Sequence, residues 1–247
     1  MVSCYTTGAF PRPKELIEAT RAYDRGRVDE KELDKAFEDA TLKVIGTQLS
    51  AGFSYVIDGM LRWQDLFRPF TENLSGVKMG SLARWFNNNV FYRKPVIVGD
   101  LSRNKDTLEE ITCLKHLPAH TPWKAILPAP YTFVQLSENH FYKNKTELLF
   151  KYAKILREEI ERLTKLGFKY VQLSDPALVY KPTATSTTRE ELGVISEALN
   201  VAVRGMPIKT CLQTFFGDFS QILPDVLDFP INHFGIDLYE TNIEKLK

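Results

Sequence analysis

The sequence predicts an α/β fold, a TIM-type (β/α)8 barrel with its eighth strand missing. Three observations predict it. Short apolar runs alternate with amphipathic segments, the pattern of βα units that feed a parallel sheet. About seven such units can be traced along the chain. The length of 247 residues matches the ~250 that such a barrel occupies. A doubly wound open sheet is the alternative, because strand order is not written in a sequence. Residues 1–247 are expected to form one domain, truncated at its C-terminus if an eighth strand belongs to it.

The expected strands are CYTTGAF (4–10), FSYVIDGM (53–60), PVIVGDL (95–101), WKAILPAPYTF (123–133), YVQLSDP (170–176), KTCLQTFF (209–216) and HFGIDLY (233–239). The helices between them read more clearly. From Asp29 to Leu49, Leu33, Phe37, Ala40, Val44 and Ile45 make one apolar stripe. From Lys145 to Leu166 a second stripe runs through Leu148, Leu149, Tyr152, Ile155, Leu156, Ile160, Leu163 and Leu166, at a period of 3.6. Gly167 stands where a C-terminal glycine should end that helix. STTREELGVISEALNVAVRG opens on Ser/Thr caps, carries acids in its first turn and stops at Gly205. The stretch from Leu61 to Tyr92 breaks the rhythm: it is rich in aromatics and arginines and reads as neither helix nor strand. A loop that long usually covers something or carries function.

The net charge of +1 provides no global field to draw nucleic acid or an acidic membrane. No apolar run approaches the ~20 residues of a membrane helix. Cys4, Cys113 and Cys211 are too few and too far apart for a disulfide framework. A cytoplasmic setting is therefore expected.

In either architecture, sites form at the C-terminal ends of the strands. Those ends deliver Asp58 with Arg62 and Asp65, Asp100, Tyr131 with Thr132, Gln172 with Ser174 and Asp175, Gln213 with Thr214, and Asp237. Several acids and amides on one rim suggest a site, with Asp58, Asp175 and Asp237 as candidate catalytic groups. A bland reading stands beside it: a strand-end carboxylate often accepts backbone N–H groups, and Arg62 could pair with Asp65. Metal chemistry finds little support. Pro118 breaks any helix that would align His116 with His120, and His140 and His233 stand alone. No Ser-His-Asp elbow, P-loop or GxGxxG follows a strand.

Four motifs, in order, resemble cobalamin-independent methionine synthase. TTGAFPRPKELIEA resembles the opening of each half of that enzyme, and YVIDGMLRWQDLF its second-strand segment. PAPYTFVQLS resembles its G-P-x-T-F segment, and VQLSDPALV its Q-x-D-E-P-A-L signature. RWFNNNVFY, which contains Asn89, resembles the W-F-D-T-N-x-x-Y segment of the N-terminal half. LQTFFGDF and LPDVLDFPINHFGIDL also resemble that half, so the resemblance is closer to the N-terminal barrel.

The resemblance implies a barrel that binds a methyl-folate and homocysteine, with zinc in the catalytic half. The departures bear on that chemistry. Where the catalytic barrel has a His-x-Cys pair, this chain has Leu212 and Thr214, with Cys211 on the opposite strand face. A zinc-ligand Glu falls near Asp237, and the last Cys would lie on the eighth strand. Zinc is therefore not supported by the sequence. The first-strand Ser becomes Ala9, and the Glu that holds the amino acid's ammonium becomes Met60.

The resemblance thus implies an N-terminal-half-like protein acting in methyl transfer from a folate-type donor to homocysteine beside a separate zinc-bearing catalytic subunit. Arg12, Lys14, Arg62, Arg103 and Lys105 are candidate contacts to donor carboxylates. Asn89, Tyr131, Gln172 and Thr214 are candidate substrate-binding residues. The alternatives are a stand-alone methyltransferase with a corrinoid donor and a non-catalytic scaffold barrel.

Overall fold

Helix capping and strand pairing account for most of the architecture in a computed structural model of the protein, which describes residues 3–86, 88–104, 107, 112–180 and 187–246. Lys105 lies outside the described residues. The helices are α1 (Lys14–Asp24), α2 (Glu30–Ser50), α3 (Arg68–Asn73), α4 (Pro130–Leu136), α5 (Lys145–Leu166) and α6 (Arg189–Val203). The three long ones start on side-chain caps. Asp29 and Glu32 close a reciprocal capping box on α2, Asn144 accepts from Glu147 N–H on α5, and Thr188 accepts from Glu191 N–H on α6. Gly167, at φ 101°, ends α5 in the left-handed conformation that favours glycine. These helices fall where periodicity placed them.

A four-stranded parallel sheet carries the core. Its order is β3 (Lys124–Pro128), β5 (Tyr170–Ser174), β6 (Lys209–Gln213) and β7 (His233–Gly235). Gln172 lies opposite Ile126 and Cys211, and Cys211 lies opposite His233. Alternation gives the sheet two faces. One presents Lys124, Ile126, Tyr170, Gln172, Ser174, Cys211 and Gln213. The other presents Ala125, Leu127, Val171, Leu173 and Leu212, which merge with the apolar stripes of α5 and α6 into one buried core. A smaller core joins α1 to α2 through Leu16, Phe37, Ala40, Val44 and Leu61.

Four expected strands differ from the reading. The run 123–133 ends as a strand at Pro128, and α4 takes its last residues. Residues 4–10 and 53–60 form no ladder; Val56 makes a single parallel bridge to Trp123. Gly59 and Met60 take φ of 87° and 52°, and the Asp58 carboxylate accepts from Met60 N–H at 2.9 Å. That turn ends extended pairing where the second strand would deliver its residues. The third expected strand belongs to a different sheet: β2 (Phe91–Arg103) pairs antiparallel with β1 (Leu74–Arg84), and β4 (Glu138–Asn139) joins β2 in parallel. So the irregular stretch after Leu61 contains most of a long hairpin. Two register shifts, between Ser75 and Val77 and between Met79 and Leu82, erase the period-two pattern from its sequence. Among the described residues the parallel sheet remains open and no closed barrel forms. No described helix is long and apolar enough to cross a membrane.

Candidate functional site at the ends of the parallel strands

A cavity of about 320 Å³ opens beside the C-terminal ends of the strands. Ile126 and Ser174 form its floor, from the face of the sheet that also carries Lys124. Thr7, Gly8 and Ala9 form one wall, and Met60, Trp63 and Asp65 another. The hairpin closes the outer side with Trp85, Val90, Phe91 and Tyr92. These aromatics are braced from behind: Phe67 lies 5.4 Å from both Trp85 and Tyr92, and the Tyr92 hydroxyl donates to Leu136 O at 3.0 Å. Asp65 ties the two aromatic walls together. One oxygen accepts from Phe67 N–H and Arg68 N–H, the other from Arg93 N–H. Burial, with Asp65 nearby, pushes the Tyr92 phenol up to about 12, so it stays a hydrogen-bond donor at neutral pH. Ala9 and Met60, the positions where the resemblance loses a Ser and a Glu, both line this cavity.

The three candidate catalytic acids do not line it. Asp58 faces a small separate cavity with Thr112 and Leu117. Burial raises its pKa against the backbone N–H groups of Met60 and Cys113. Asp175 is fully buried and accepts from Thr132 N–H at 3.0 Å and Thr132 hydroxyl at 2.6 Å. It thus serves the first turn of α4. Its second oxygen has no partner among the described residues, and burial pushes the carboxyl up to about 7. Asp237 accepts from Phe216 N–H and Tyr239 N–H. The three carboxylates share no partner, each having found nearer backbone donors.

Most of the candidate binding residues are also engaged elsewhere. Arg12 donates to Leu61 O at 2.8 Å and Trp63 O at 3.2 Å. Lys14 sits 3.7 Å from Glu18 on an exposed face of α1. Arg62 pairs with Asp34 at 2.8 Å rather than with Asp65, and stacks over Phe37. Arg103 reaches Glu159 at 3.0 Å. Tyr131 donates to Glu191 at 2.6 Å, under α5 and α6. Thr214 donates to Gly235 O through both its N–H and its hydroxyl. Asn89 is exposed at the hairpin tip, beside the cavity-lining Val90. Gln172 is buried on the inner face, one layer below Ser174, and its amide donates to Ser174 Oγ at 3.1 Å.

Sequence reasoning missed Lys124. It is 2% exposed, and its amine donates to Thr6 O and Gln172 Oε1, each at 2.7 Å. Burial pushes its pKa down to about 7, against the neighbouring Cys211. A lysine two residues before Ile126 in an apolar strand was the available signal, because alternation puts both on one face.

Zinc finds no matching donor set. Leu212 turns into the helix-packed core, Thr214 is spent on Gly235, and Asp237 caps a turn. Cys211 is the residue that faces inward, and burial raises its thiol pKa, away from the thiolate that would bind metal. No group of three His, Cys, Asp or Glu among the described residues could hold a metal ion.

Comparison with known proteins gives the geometry its context. Methionine synthase of Sulfolobus acidocaldarius is 28% identical over 97% of this chain and 69% of its own length. That of Saccharolobus solfataricus is 30% identical over 97% and 70%. A B12-independent methionine synthase from Shewanella sp. W3-18-1, solved with selenomethionine, superposes with a TM-score of 0.61 at 25% identity, over 78% of this chain. The chain spans 55% of that protein's length. The Listeria monocytogenes protein described as a vitamin-B12-independent methionine synthase shares the fold at a TM-score of 0.73 and 18% identity, over 95% of this chain and 73% of its own. The family model described as cobalamin-independent synthase, catalytic domain, matches residues 3–242. The motifs in the sequence leaned instead to the N-terminal half. On the strength of that nearly complete match, the chain belongs to the cobalamin-independent methionine synthase family.

Proposed function

We propose that the chain acts in methyl transfer to homocysteine as a donor-binding unit, holding a methyl-folate-type molecule in the cavity beside the strand ends. The parallel strands, with segments 4–10 and 53–60 laid beside them, act as staves of an open (β/α)8-type barrel. A separate zinc-bearing subunit, in the cytoplasm, activates the thiol. The observation that carries this reading is the composition of the cavity. Trp63, Trp85, Phe91 and Tyr92 offer flat apolar walls suited to a heterocycle. Attack on a methyl group needs the thiolate, and the cavity offers nothing to generate it. Its polar groups include the Thr7 and Ser174 hydroxyls and Asp65, both of whose oxygens already accept backbone N–H groups. Titration of the chain with methyltetrahydrofolate, followed by tryptophan fluorescence, tests the reading. Saturable quenching is expected, with no methyl transfer until a zinc-bearing synthase is added. Absence of binding, or methyl transfer by the chain alone, overturns it.

A second reading is a stand-alone methyltransferase that takes its methyl group from a corrinoid; the match to the family's catalytic-domain model supports its catalytic part alone. Methionine formed by the chain alone from methylcobalamin and homocysteine would establish it.

A further inference from the structure

Residues 4–10 supply a wall of the cavity through Thr7, Gly8 and Ala9, yet no strand ladder holds them. Backbone hydrogen bonds reach the segment near its two ends, from Ser54 N–H to Cys4 O and from Phe10 N–H to Gly59 O. Between those points, side chains of the sheet take over. Lys124 Nζ donates to Thr6 O at 2.7 Å, and Gln172 Nε2 donates to Thr7 O at 2.8 Å. Lys124 also donates to Gln172 Oε1 at 2.7 Å, which locks the two side chains to each other. The amine lies 3.9 Å from the centre of the Tyr5 ring, and the Tyr5 and Tyr170 hydroxyls share a hydrogen bond. The three N–H bonds of the ammonium are thus matched by two acceptors and a ring face, leaving none for a ligand.

We propose that Lys124 and Gln172 are positioning residues that clamp Thr6 and Thr7 and thereby fix the Thr7–Ala9 wall of the cavity. Gln172 extends the clamp to the cavity floor through Ser174. The functional meaning of the clamp rests on the reading of the cavity as a ligand site; its existence does not.

The clamp has a pH signature. Burial holds the Lys124 pKa near 7 while the segment is closed; peeling the segment away hydrates the amine and returns it toward 10.5. The closed state therefore binds fewer protons between those values, so rising pH favours closure, by up to about tenfold per pH unit. The titratable groups facing the amine are Tyr5, Tyr170 and Cys211. Tyr170 in turn meets His233 Nδ1 at 3.1 Å, and Asp58 borders the small cavity that Lys124 also lines.

Hydrogen exchange on the full chain, corrected for intrinsic rates and referenced to α5, tests this. Opening of residues 4–10 in the wild type is expected to fall about tenfold or more between pH 7 and 9. Lys124→Met abolishes that dependence and raises opening at pH 9; Gln172→Leu raises opening but keeps the dependence, and His233→Gln leaves it in place. Methyltetrahydrofolate affinity falls in step with opening. Unchanged exchange in Lys124→Met overturns the clamp, and increased exchange with unchanged affinity overturns its positioning role. If Lys124→Met does not fold, Gln172→Leu decides: unchanged exchange of residues 4–10 in that variant overturns the clamp. If the wild type binds no methyl-folate, the proposed function fails while the exchange data still judge the clamp.

Discussion

Asp175 and Thr132 are joined twice: one carboxylate oxygen accepts both the backbone N–H and the hydroxyl of the threonine. The same hydroxyl accepts from Ala177 N–H, which closes a ring around the exit of β5. A carboxylate held this way organises the turn after the strand.

Asp175→Ala should cost about 2–3 kcal/mol, because two buried donors on Thr132 lose their acceptor. Asp175→Asn keeps an acceptor and should cost less. Its effect depends on pH. The carboxyl is raised from 3.8 to about 7 in the folded chain, so the native state keeps a proton that the unfolded state releases. The stability this contributes is complete below pH 4 and lost as pH rises through 7. Urea unfolding at pH 5 and 7 should show a decline in the wild type that Asp175→Asn flattens.

Arg12→Ala should destabilise the chain by about 1–3 kcal/mol, since the carbonyls of Leu61 and Trp63 lose their donor. Lys14→Ala, on an exposed face, should stay within about 0.5 kcal/mol. If both residues contacted a polyanionic donor, both variants would lose affinity. The geometry predicts that Arg12→Ala alone changes binding, through the neighbouring Trp63. Denaturant unfolding and the folate titration, run on both variants, separate the two cases.

Trp85→Ala should weaken methyl-folate binding about tenfold or more, because a buried aromatic wall is worth ~2 kcal/mol or above. Trp123→Phe is the control, as Trp123 packs on Phe168 away from the cavity. Fluorescence quenching on ligand addition should be reduced in the first and retained in the second.

Gly76→Ala should lower stability by about 2 kcal/mol or more. Gly76 sits at φ 79°, and a Cβ there would run into the Asp100 carbonyl on β2. The hairpin would have to shift, so near-ultraviolet circular dichroism of Trp85 should change along with the unfolding midpoint.

Helices α2, α5 and α6 were legible because their caps and stripes are local: Asp29 with Glu32, Asn144 with Glu147, Thr188 with Glu191. The hairpin was not, because pairing Val77 with Ile97 is non-local and two bulges break the alternation. A cavity lies beside the strand ends, but the three acids there do not face it together. A carboxylate takes a nearby unpaired N–H, and for Asp58, Asp175 and Asp237 those donors are Met60, Thr132 and Tyr239, fixed by turn geometry that residue type does not encode. Cys211 was assigned to the outer face of its strand. Its pairing opposite Gln172 and His233 puts it inside.

Among the described residues the hairpin shares no ladder with the parallel sheet, yet it supplies Trp85, Val90, Phe91 and Tyr92 to the cavity. The pocket therefore has an author independent of the sheet. Insertions or swaps confined to one arm can retune what is admitted, while the sheet that supports the floor keeps its register untouched. Divergence of ligand preference among such chains should accordingly be concentrated between positions 74 and 103.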